Sequence, residues 1–402
     1  MITARAFAGH HYAVYGLARS GLATVEALLA SGATVTAWDG KEEARAKAPE
    51  GTQTANLDEA DLSQFDSLVV TPGLPLNRHP IAQRAWEAGV EIIGDIELFA
   101  RARPELPPHK VVGITGTNGK STTTALVHHI LKTAGVPTTT GGNIGLPILA
   151  QDPLPEGGVY VLELSSYQID LTQSLDCDVA VLLNITPDHL DRYESFEAYA
   201  ASKARLFEMS SGAFVRGRDD TGLNQGHWPA LQGPHNAQNA AAAIETCRNL
   251  GLGEGEIEEG LRTYPGLPHR MERVREIDGV LFVNDSKATN PTATAPALAA
   301  FPAIRWILGG QAKTDTLDEC APHFGHVRYA YTIGEAADLF EKLLAPHMPV
   351  KNCGKLDEAV RQAAQDSKAG DTVLLSPACA SFDQFRDFED RGDQFKALVG
   401  TL

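Results

Sequence analysis

The sequence has only five cysteines, Cys177, Cys247, Cys320, Cys353 and Cys379, and no two form a C-x-x-C pair. That spacing excludes a zinc ribbon or a disulfide framework, and leaves all five as small apolar residues. No apolar run reaches the roughly 18–20 residues that a bilayer-spanning helix needs. The first residues, Met1-Ile2-Thr3-Ala4-Arg5, lack the apolar core of a secretory signal, so a cytoplasmic protein without a membrane partner is expected. Positive charge is also scarce: 34 Lys and Arg stand against 51 Asp and Glu, a net charge of −17. Such a balance offers no broad basic face, so a nucleic-acid partner is not expected. Small anionic substrates are not excluded, because a few local cations and helix N-termini suffice for them.

What is present is an ordinary globular composition, 43% hydrophobic and 21% charged over 402 residues. That length suggests several domains at roughly 100–200 residues each. Short apolar strands alternate with helical stretches. His11–Tyr15, Ala33–Trp38 and Ser67–Val70 read as strands, with a helix over Gly21–Ser31. Pro104-Glu105-Leu106-Pro107-Pro108 is a stiff break. A second alternating block opens at Lys110–Thr115 and includes strands at Val159–Leu164 and Asp178–Ile185, then helical sequence over Asn239–Asn249. A third, from Leu267, has strands at Gly279–Val283, Ile304–Leu308, Tyr329–Ile333 and Thr372–Leu375. The pattern predicts three α/β domains built on wound parallel sheets. Most polar clusters follow strands, and in such sheets the ligand crevice lies at the carboxyl ends of the strands.

Between the strand ending at Thr115 and a helix predicted from Thr122 lies Gly116-Thr117-Asn118-Gly119-Lys120-Ser121. Glycines let backbone N–H groups turn toward phosphate oxygens, and a helix N-terminus adds partial positive charge. Lys120 is placed for the terminal phosphates and the Ser121 hydroxyl for Mg²⁺. The strict P-loop spacing is not met, because Ile114 stands where its first glycine belongs. The plainer alternative is a glycine turn that caps a helix.

Thr115-Gly116-Thr117-Asn118-Gly119-Lys120-Ser121-Thr122 resembles the nucleotide loop of the Mur ligases and folylpolyglutamate synthases. Further matches run along the chain: Gly141-Gly142-Asn143-Ile144-Gly145, Glu163-Leu164-Ser165-Ser166, Asn184-Ile185-Thr186-Pro187-Asp188-His189-Leu190-Asp191 and Gly266-Leu267-Pro268-His269-Arg270. Gly94-Asp95-Ile96-Glu97-Leu98-Phe99, Asn284-Asp285-Ser286-Lys287-Ala288-Thr289-Asn290 and Ser376-Pro377-Ala378-Cys379-Ala380-Ser381 resemble the D-glutamate-adding branch of the Mur ligases. The resemblance implies a Rossmann-like N-terminal domain (1–107), a P-loop-type central domain (108–266) and a Rossmann-like C-terminal domain (267–402). It implies a monomeric, ATP-dependent ligase with UDP-N-acetylmuramoyl-L-alanine and D-glutamate as substrates, acting through an acyl phosphate.

Residue roles follow from the same resemblance. Gly116, Thr117, Asn118, Gly119, Lys120, Ser121 and Thr122 would hold the triphosphate. Asn236 and Asn239 would contact the adenine side, and Arg270, Asp285 and Lys287 would reach ATP from the third domain. Two Mg²⁺ ions are implied, with Ser121 and Glu163 on the first and His189 on the second. Lys203, a surface lysine when read alone, corresponds to the lysine that family members carbamylate with CO₂. Arg19 and Ser20 would meet the substrate diphosphate, Asp39 and Lys41 the uracil, and Gly73 and Asn143 would continue the groove. Thr289, Lys313, Ser381 and Phe388 would receive D-glutamate. Lys120, His189 and Lys203 form the implied catalytic set.

Gly16-Leu17-Ala18-Arg19-Ser20-Gly21, with Asp39 following the next strand, imitates a dinucleotide fingerprint, but Ala18 replaces the middle glycine. A dehydrogenase would leave the second and third blocks without a role. A folylpolyglutamate synthase would lack the first block. A non-catalytic nucleotide-binding switch would bind ATP without amino-acid-dependent turnover. One departure from the family pattern stands out: only 31 residues separate Lys203 from His235. The central domain is therefore expected to be shortened. The plainer alternative for Asn236, compatible with its adenine-side role, is a cap on the helix that follows it.

Overall fold

The computed structural model describes residues 1–188 and 191–402. Three sheets organise the chain. The first alternates β1 (His11–Tyr15), α1 (Arg19–Ala30), β2 (Thr34–Trp38), α2 (Glu42–Arg45), β3 (Gln53–Thr54), β4 (Ser67–Val70), α3 (Pro80–Glu87), β5 (Glu91–Ile93) and α4 (Asp95–Ala102). The second has β6 (His109–Thr115), α5 (Lys120–Thr133), β7 (Thr138–Gly142), β8 (Gly158–Glu163), α6 (Ser166–Asp170), β9 (Val179–Leu182), α7 (Phe196–Glu208) and β10 (Ala213–Arg216), followed by α8 (Pro234–Leu250) and α9 (Glu254–Thr263). The third has β11 (Glu272–Ile277), β12 (Val280–Asn284), α10 (Pro291–Ala299), β13 (Ile304–Gly309), β14 (Val327–Ile333), α11 (Ala337–Leu344), β15 (Val350–Gly354), α12 (Leu356–Asp366), β16 (Thr372–Leu375) and α13 (Phe388–Gly400).

The first two sheets are parallel, in the orders β3-β2-β1-β4-β5 and β10-β9-β6-β8-β7. In each, the central strand is followed by a glycine-bearing loop and a helix, the arrangement that places ligands at a reversal of strand order. The third sheet, β11-β12-β16-β13-β14-β15, is mixed because β11 runs antiparallel to β12. That hairpin was not anticipated: β11 (Glu-Arg-Val-Arg-Glu-Ile) is charged and has no fully buried residue, so it carries little apolar signal. β10 likewise contributes a single buried residue, Val215, and closes the shortened side of the second sheet.

The chain forms two compact units, one of Met1–Thr221 with Gln238–Gly260 and one of Gly222–Ala237 with Leu261–Leu402. Within the first unit, the two parallel sheets share one apolar cluster that runs from Ile2 and Val14 to Leu162 and Leu206. Glu97, buried on α4, fastens this joint. Its carboxylate accepts the backbone N–H groups of Gln173 and Ser174 at 2.7 and 2.9 Å and the Ser174 hydroxyl at 2.8 Å, and it pairs with Arg101 at 2.9 Å. The Gly94-Asp95-Ile96-Glu97 motif thus holds the first sheet to the second. Its Asp95 carboxyl is buried, which pushes its pKa up to about 6.

Three of the differences from the sequence expectation bear on the site. α5 begins at Lys120 rather than Thr122, because Gly119 adopts the left-handed φ of +84° that starts it. The Asp178–Ile185 strand is only Val179–Leu182; beyond it, Leu183 N–H still donates to Thr115 O at the end of β6, and Asn184 O then accepts Thr117 N–H of the phosphate loop. α8 begins at Pro234, so Asn236 lies inside its first turn and is not its cap; its side-chain amide donates back to Gln232 O at 3.1 Å.

Candidate active site

The phosphate loop is braced by the turn after β9. Thr117 N–H donates to Asn184 O at 2.9 Å, Asn118 N–H donates to Asn184 Oδ1 at 2.9 Å, and Asn184 Nδ2 donates to Asn118 O at 3.1 Å. Thr117 Oγ1 lies 3.1 Å from the Tyr199 hydroxyl and accepts Thr186 N–H at 3.0 Å. Lys120 Nζ folds back onto the loop, donating to the Gly116 and Thr117 carbonyls at 2.8 Å each. The loop is therefore held from outside, with its lysine at a helix start, a position suited to phosphate oxygens.

Gly119 has no room for a side chain: a Cβ there would lie 2.2 Å from Asn239 Oδ1. Asn239 also accepts the Thr123 hydroxyl at 3.3 Å, so α8 backs the loop through this amide. Ser121 and Thr122 occupy the first turn of α5.

Glu163 ends β8, where an all-buried strand delivers a carboxylate to the crevice. Its Oε1 accepts Asn143 Nδ2 at 2.9 Å, and its backbone carbonyl accepts Asn143 N–H at 2.8 Å. Its Oε2 is buried with no hydrogen-bond partner among the described residues. A buried carboxylate oxygen left without a donor is costly unless a cation completes it, so this group fits a hard, oxygen-seeking ion such as Mg²⁺.

Lys203 is only 2% exposed on α7, which replaces the surface reading of that lysine. Its ammonium lies 4.8 Å from the centre of the Tyr199 ring. Burial, reinforced by the positive charge of Lys120, lowers its pKa from 10.5 to about 7, against the opposing pull of Asp188, Asp170 and Glu163. Burial disfavours the charged form of an amine, so the neutral form is easier to reach here than for an exposed lysine. His189 lies outside the described residues.

In the first sheet, Asp39 joins two turns: Oδ2 accepts Leu17 N–H at 2.8 Å and Oδ1 accepts Lys41 N–H at 2.9 Å. Arg19 Nη2 donates to Gly145 O at 3.1 Å, linking the start of α1 to the Gly141–Gly145 segment that carries Asn143. Ser20 follows in the first turn of α1, and Gly73 sits in the turn after β4.

In the other unit, Asp285 follows β12. Its carboxylate accepts the Ser376 hydroxyl at 2.7 Å and Met271 N–H at 3.1 Å, yet complete burial raises its pKa to about 7. Lys287 N–H donates to His269 O at 3.0 Å. The turn carrying Arg270 is thus held by the Asp285–Lys287 segment, and it has positive φ at both His269 and Met271 (61° and 49°). Lys287 Nζ lies 3.9 Å from the centre of the Phe388 ring, and Lys313 Nζ donates to Thr289 Oγ1 at 3.3 Å. Ser381 is buried at the loop after β16. Asp285, Lys287, Thr289, Lys313, Ser381 and Phe388 therefore follow the ends of β12, β13 and β16, while Arg270 lies just before β11 and Asn236 on α8.

Sequence reasoning missed three residues. Tyr199 was signalled by its i, i+4 spacing from Lys203 on one helix face. Asn184 lay inside a quoted motif with no role attached. Arg391 is fully buried, and its guanidinium donates to Ser286 Oγ, Ser286 O, Cys379 O and Ala380 O at 2.9, 2.8, 3.1 and 3.3 Å. It had no signal, because it sits among Glu389, Asp390 and Asp393 and reads as part of a solvated acidic helix.

Two parallel sheets with crevice loops, one of them a phosphate loop backed by a buried carboxylate and lysine, and a third mixed sheet define a three-domain nucleotide-dependent enzyme. Residues 10–94 match the family described as Mur ligase MurD-like, N-terminal domain; residues 114–227 match Mur ligase middle domain; and residues 269–379 match Mur ligase, glutamate ligase domain. The chain is 61% identical to the UDP-N-acetylmuramoylalanine–D-glutamate ligase of Novosphingobium aromaticivorans, covering 100% of this chain and 97% of that protein. It is 59% identical to the protein of the same name from Sphingopyxis alaskensis, covering 100% of both. The solved structure of the MurF ligase of Thermotoga maritima in complex with ADP shares the fold, with a TM-score of 0.60, 16% identity and coverage of 99% of this chain and 97% of that one. The chain belongs to the Mur ligase family. The alignment with the Novosphingobium relative spans 429 positions against 402 residues, leaving at least 27 positions of that relative without a counterpart here.

Proposed function

We infer that this chain joins D-glutamate to the alanine carboxylate of UDP-N-acetylmuramoyl-L-alanine at the expense of ATP, releasing ADP and phosphate, in the cytoplasmic synthesis of a peptidoglycan precursor. The observation that carries this reading is the phosphate loop with Lys120, placed beside buried Glu163 and buried Lys203, in a chain whose relatives bear that ligase name at about 60% identity over their full lengths.

The chemistry divides among named groups. Lys120 and the N–H groups at the start of α5 bind the triphosphate. The substrate carboxylate attacks the γ-phosphorus; the new O–P bond forms as the bond to ADP breaks. The amine of D-glutamate then attacks the acyl carbon, giving the amide, with loss of a proton and of phosphate. Ser121 and Glu163 would hold one Mg²⁺ and His189 a second. Bound there, the metal would offset repulsion between carboxylate and triphosphate and polarise the phosphoryl group. Lys203, as a neutral amine, would add to CO₂ with loss of a proton, giving a carbamate whose oxygens serve the metal site. Asn236 and Asn239 would meet the adenine side, and Arg270, Asp285 and Lys287 would contact ATP.

Arg19, Ser20, Asp39, Lys41, Gly73 and Asn143 would receive the UDP-sugar. Thr289, Lys313, Ser381 and Phe388 would receive the amino acid. We place the domain limits at 1–107, 108–266 and 267–402, and take the active form to be a monomer. ADP release with UDP-N-acetylmuramoyl-L-alanine and a panel of amino acids tests the assignment. Stimulation by D-glutamate is expected. Stimulation by L-lysine or meso-diaminopimelate instead would overturn it, and ATP binding with no amino-acid-dependent turnover would make the chain a switch.

A further inference from the structure

Arg192 has no part in the roles given above, yet it joins three segments of the first unit. Its Nη2 donates to Leu74 O at 2.8 Å and reaches Pro72 O at 3.5 Å, while Nη1 reaches Gly73 O at 3.4 Å. The guanidinium carbon lies 4.2 Å from the centre of the Tyr167 ring. Tyr167 belongs to α6, four residues beyond Glu163. In the opposite direction, Asn77 Nδ2 and Arg78 Nη2 donate to the backbone carbonyl of Asp191 at 3.1 and 2.8 Å. The 72–78 turn and the 191–192 segment are therefore stitched from both sides.

The joint between the two sheets does not depend on this contact, because the shared core and Glu97 already provide it. What the guanidinium adds is local. It gathers three successive carbonyls of a turn that projects beyond β4, and it does so as a planar fork lying on an aromatic face. A lysine, a point charge on a flexible stem, cannot reproduce that geometry. The half-buried side chain is poorly placed to contribute much global stability, but well placed to keep one turn in one shape.

We propose that Arg192 is a positioning residue for the nucleotide substrate, holding the Pro72-Gly73-Leu74 turn preformed against the edge of the site that carries Tyr167 and Glu163. The proposal rests on the reading above that Gly73 lines the UDP-sugar groove. A turn that is already ordered loses less freedom when its ligand arrives, so the effect falls on affinity for that ligand alone. The ATP loop has its own brace at Asn184 and is unaffected.

The test is calorimetric titration of UDP-N-acetylmuramoyl-L-alanine into the full-length wild type, Arg192→Lys and Arg192→Gln, with the KM for ATP and the thermal midpoint measured alongside. Nucleotide affinity is expected to fall about tenfold in both variants, with ATP KM and thermal midpoint close to wild type. Wild-type affinity in Arg192→Gln would overturn the proposal. So would full rescue by Arg192→Lys, since charge alone would then suffice, or a loss that falls equally on ATP and tracks a lower midpoint. A wild type that binds the nucleotide but releases no ADP with D-glutamate would sink the proposed activity, while the binding comparison would still decide the role of Arg192.

Discussion

Asn143 and Glu163 are locked to each other twice: the Asn143 amide donates to the Glu163 carboxylate at 2.9 Å, and the Asn143 backbone N–H donates to the Glu163 carbonyl at 2.8 Å. The pairing occupies one carboxylate oxygen and leaves the other, buried, without a donor among the described residues. Replacing Asn143 with Leu removes the side-chain half of the lock. Groups that orient a metal ligand are typically worth about 10–100-fold in metal affinity. The Mg²⁺ concentration for half-maximal activity is expected to rise by about tenfold in Asn143→Leu. An unchanged Mg²⁺ titration would remove Glu163 from the metal site.

Gly119 is predicted to tolerate no side chain. Alanine at its φ of +84° is strained, and its Cβ would meet Asn239 Oδ1 at 2.2 Å. Left-handed backbone costs an L-residue roughly 1–2 kcal/mol, so ATP affinity in Gly119→Ala is expected to fall about tenfold. A titration of ATP binding to the variant checks this, with loss of nucleotide-substrate affinity as the contrary result.

Lys203 makes stability depend on pH in a defined direction. Its pKa is about 7 in the folded chain against 10.5 for an unburied lysine. Between those values the unfolded chain binds a proton that the folded chain does not, so stability rises with pH through that window. Below the folded value, the cost of burying the ammonium is carried in full. Lys203→Met removes that cost. In CO₂-free buffer, its thermal midpoint is expected to exceed wild type most at pH 6 and to converge with it toward pH 10, while activity is lost. A pH-independent difference would show that the amine is not the titrating group.

Arg391 ties the Ser286 and Cys379–Ala380 segments together through four hydrogen bonds in a fully buried setting. Arg391→Met keeps much of the apolar stem but leaves the buried carbonyls of Ser286, Cys379 and Ala380 without this donor. Each buried acceptor stripped of its donor costs about 1–3 kcal/mol. The variant is expected to melt several degrees lower and to show a higher KM for D-glutamate, with the UDP-nucleotide KM unchanged. Equal effects on both substrates would mean that its role is stability alone.

Legibility followed the range of the interactions. The strand–loop–helix around Gly116–Ser121 could be read because its signal is local: two glycines, a lysine and two hydroxyls in six residues between a strand and a helix. Glu163 could be read because an apolar strand ends on it. Tyr199 was half legible, from its helical spacing to Lys203. Arg391 and the charged strand β11 were not legible, since their partners lie far along the chain or across a hairpin. The capping alternative for Asn236 fails because Pro234 has already started the helix.

By itself, the sequence determined the parallel-sheet alternation, the placement of chemistry after strands, and the family to which the chain belongs. These depend on periodicity and contiguous motifs, which need no knowledge of distant contacts. Only the tertiary structure decided that Lys203 is buried, that Arg391 is an internal tie and that Arg192 grips the Gly73 turn. Burial and hydrogen bonding between segments of distant sequence leave no local pattern, and it is burial that pulls the pKa of Lys203 down to about 7.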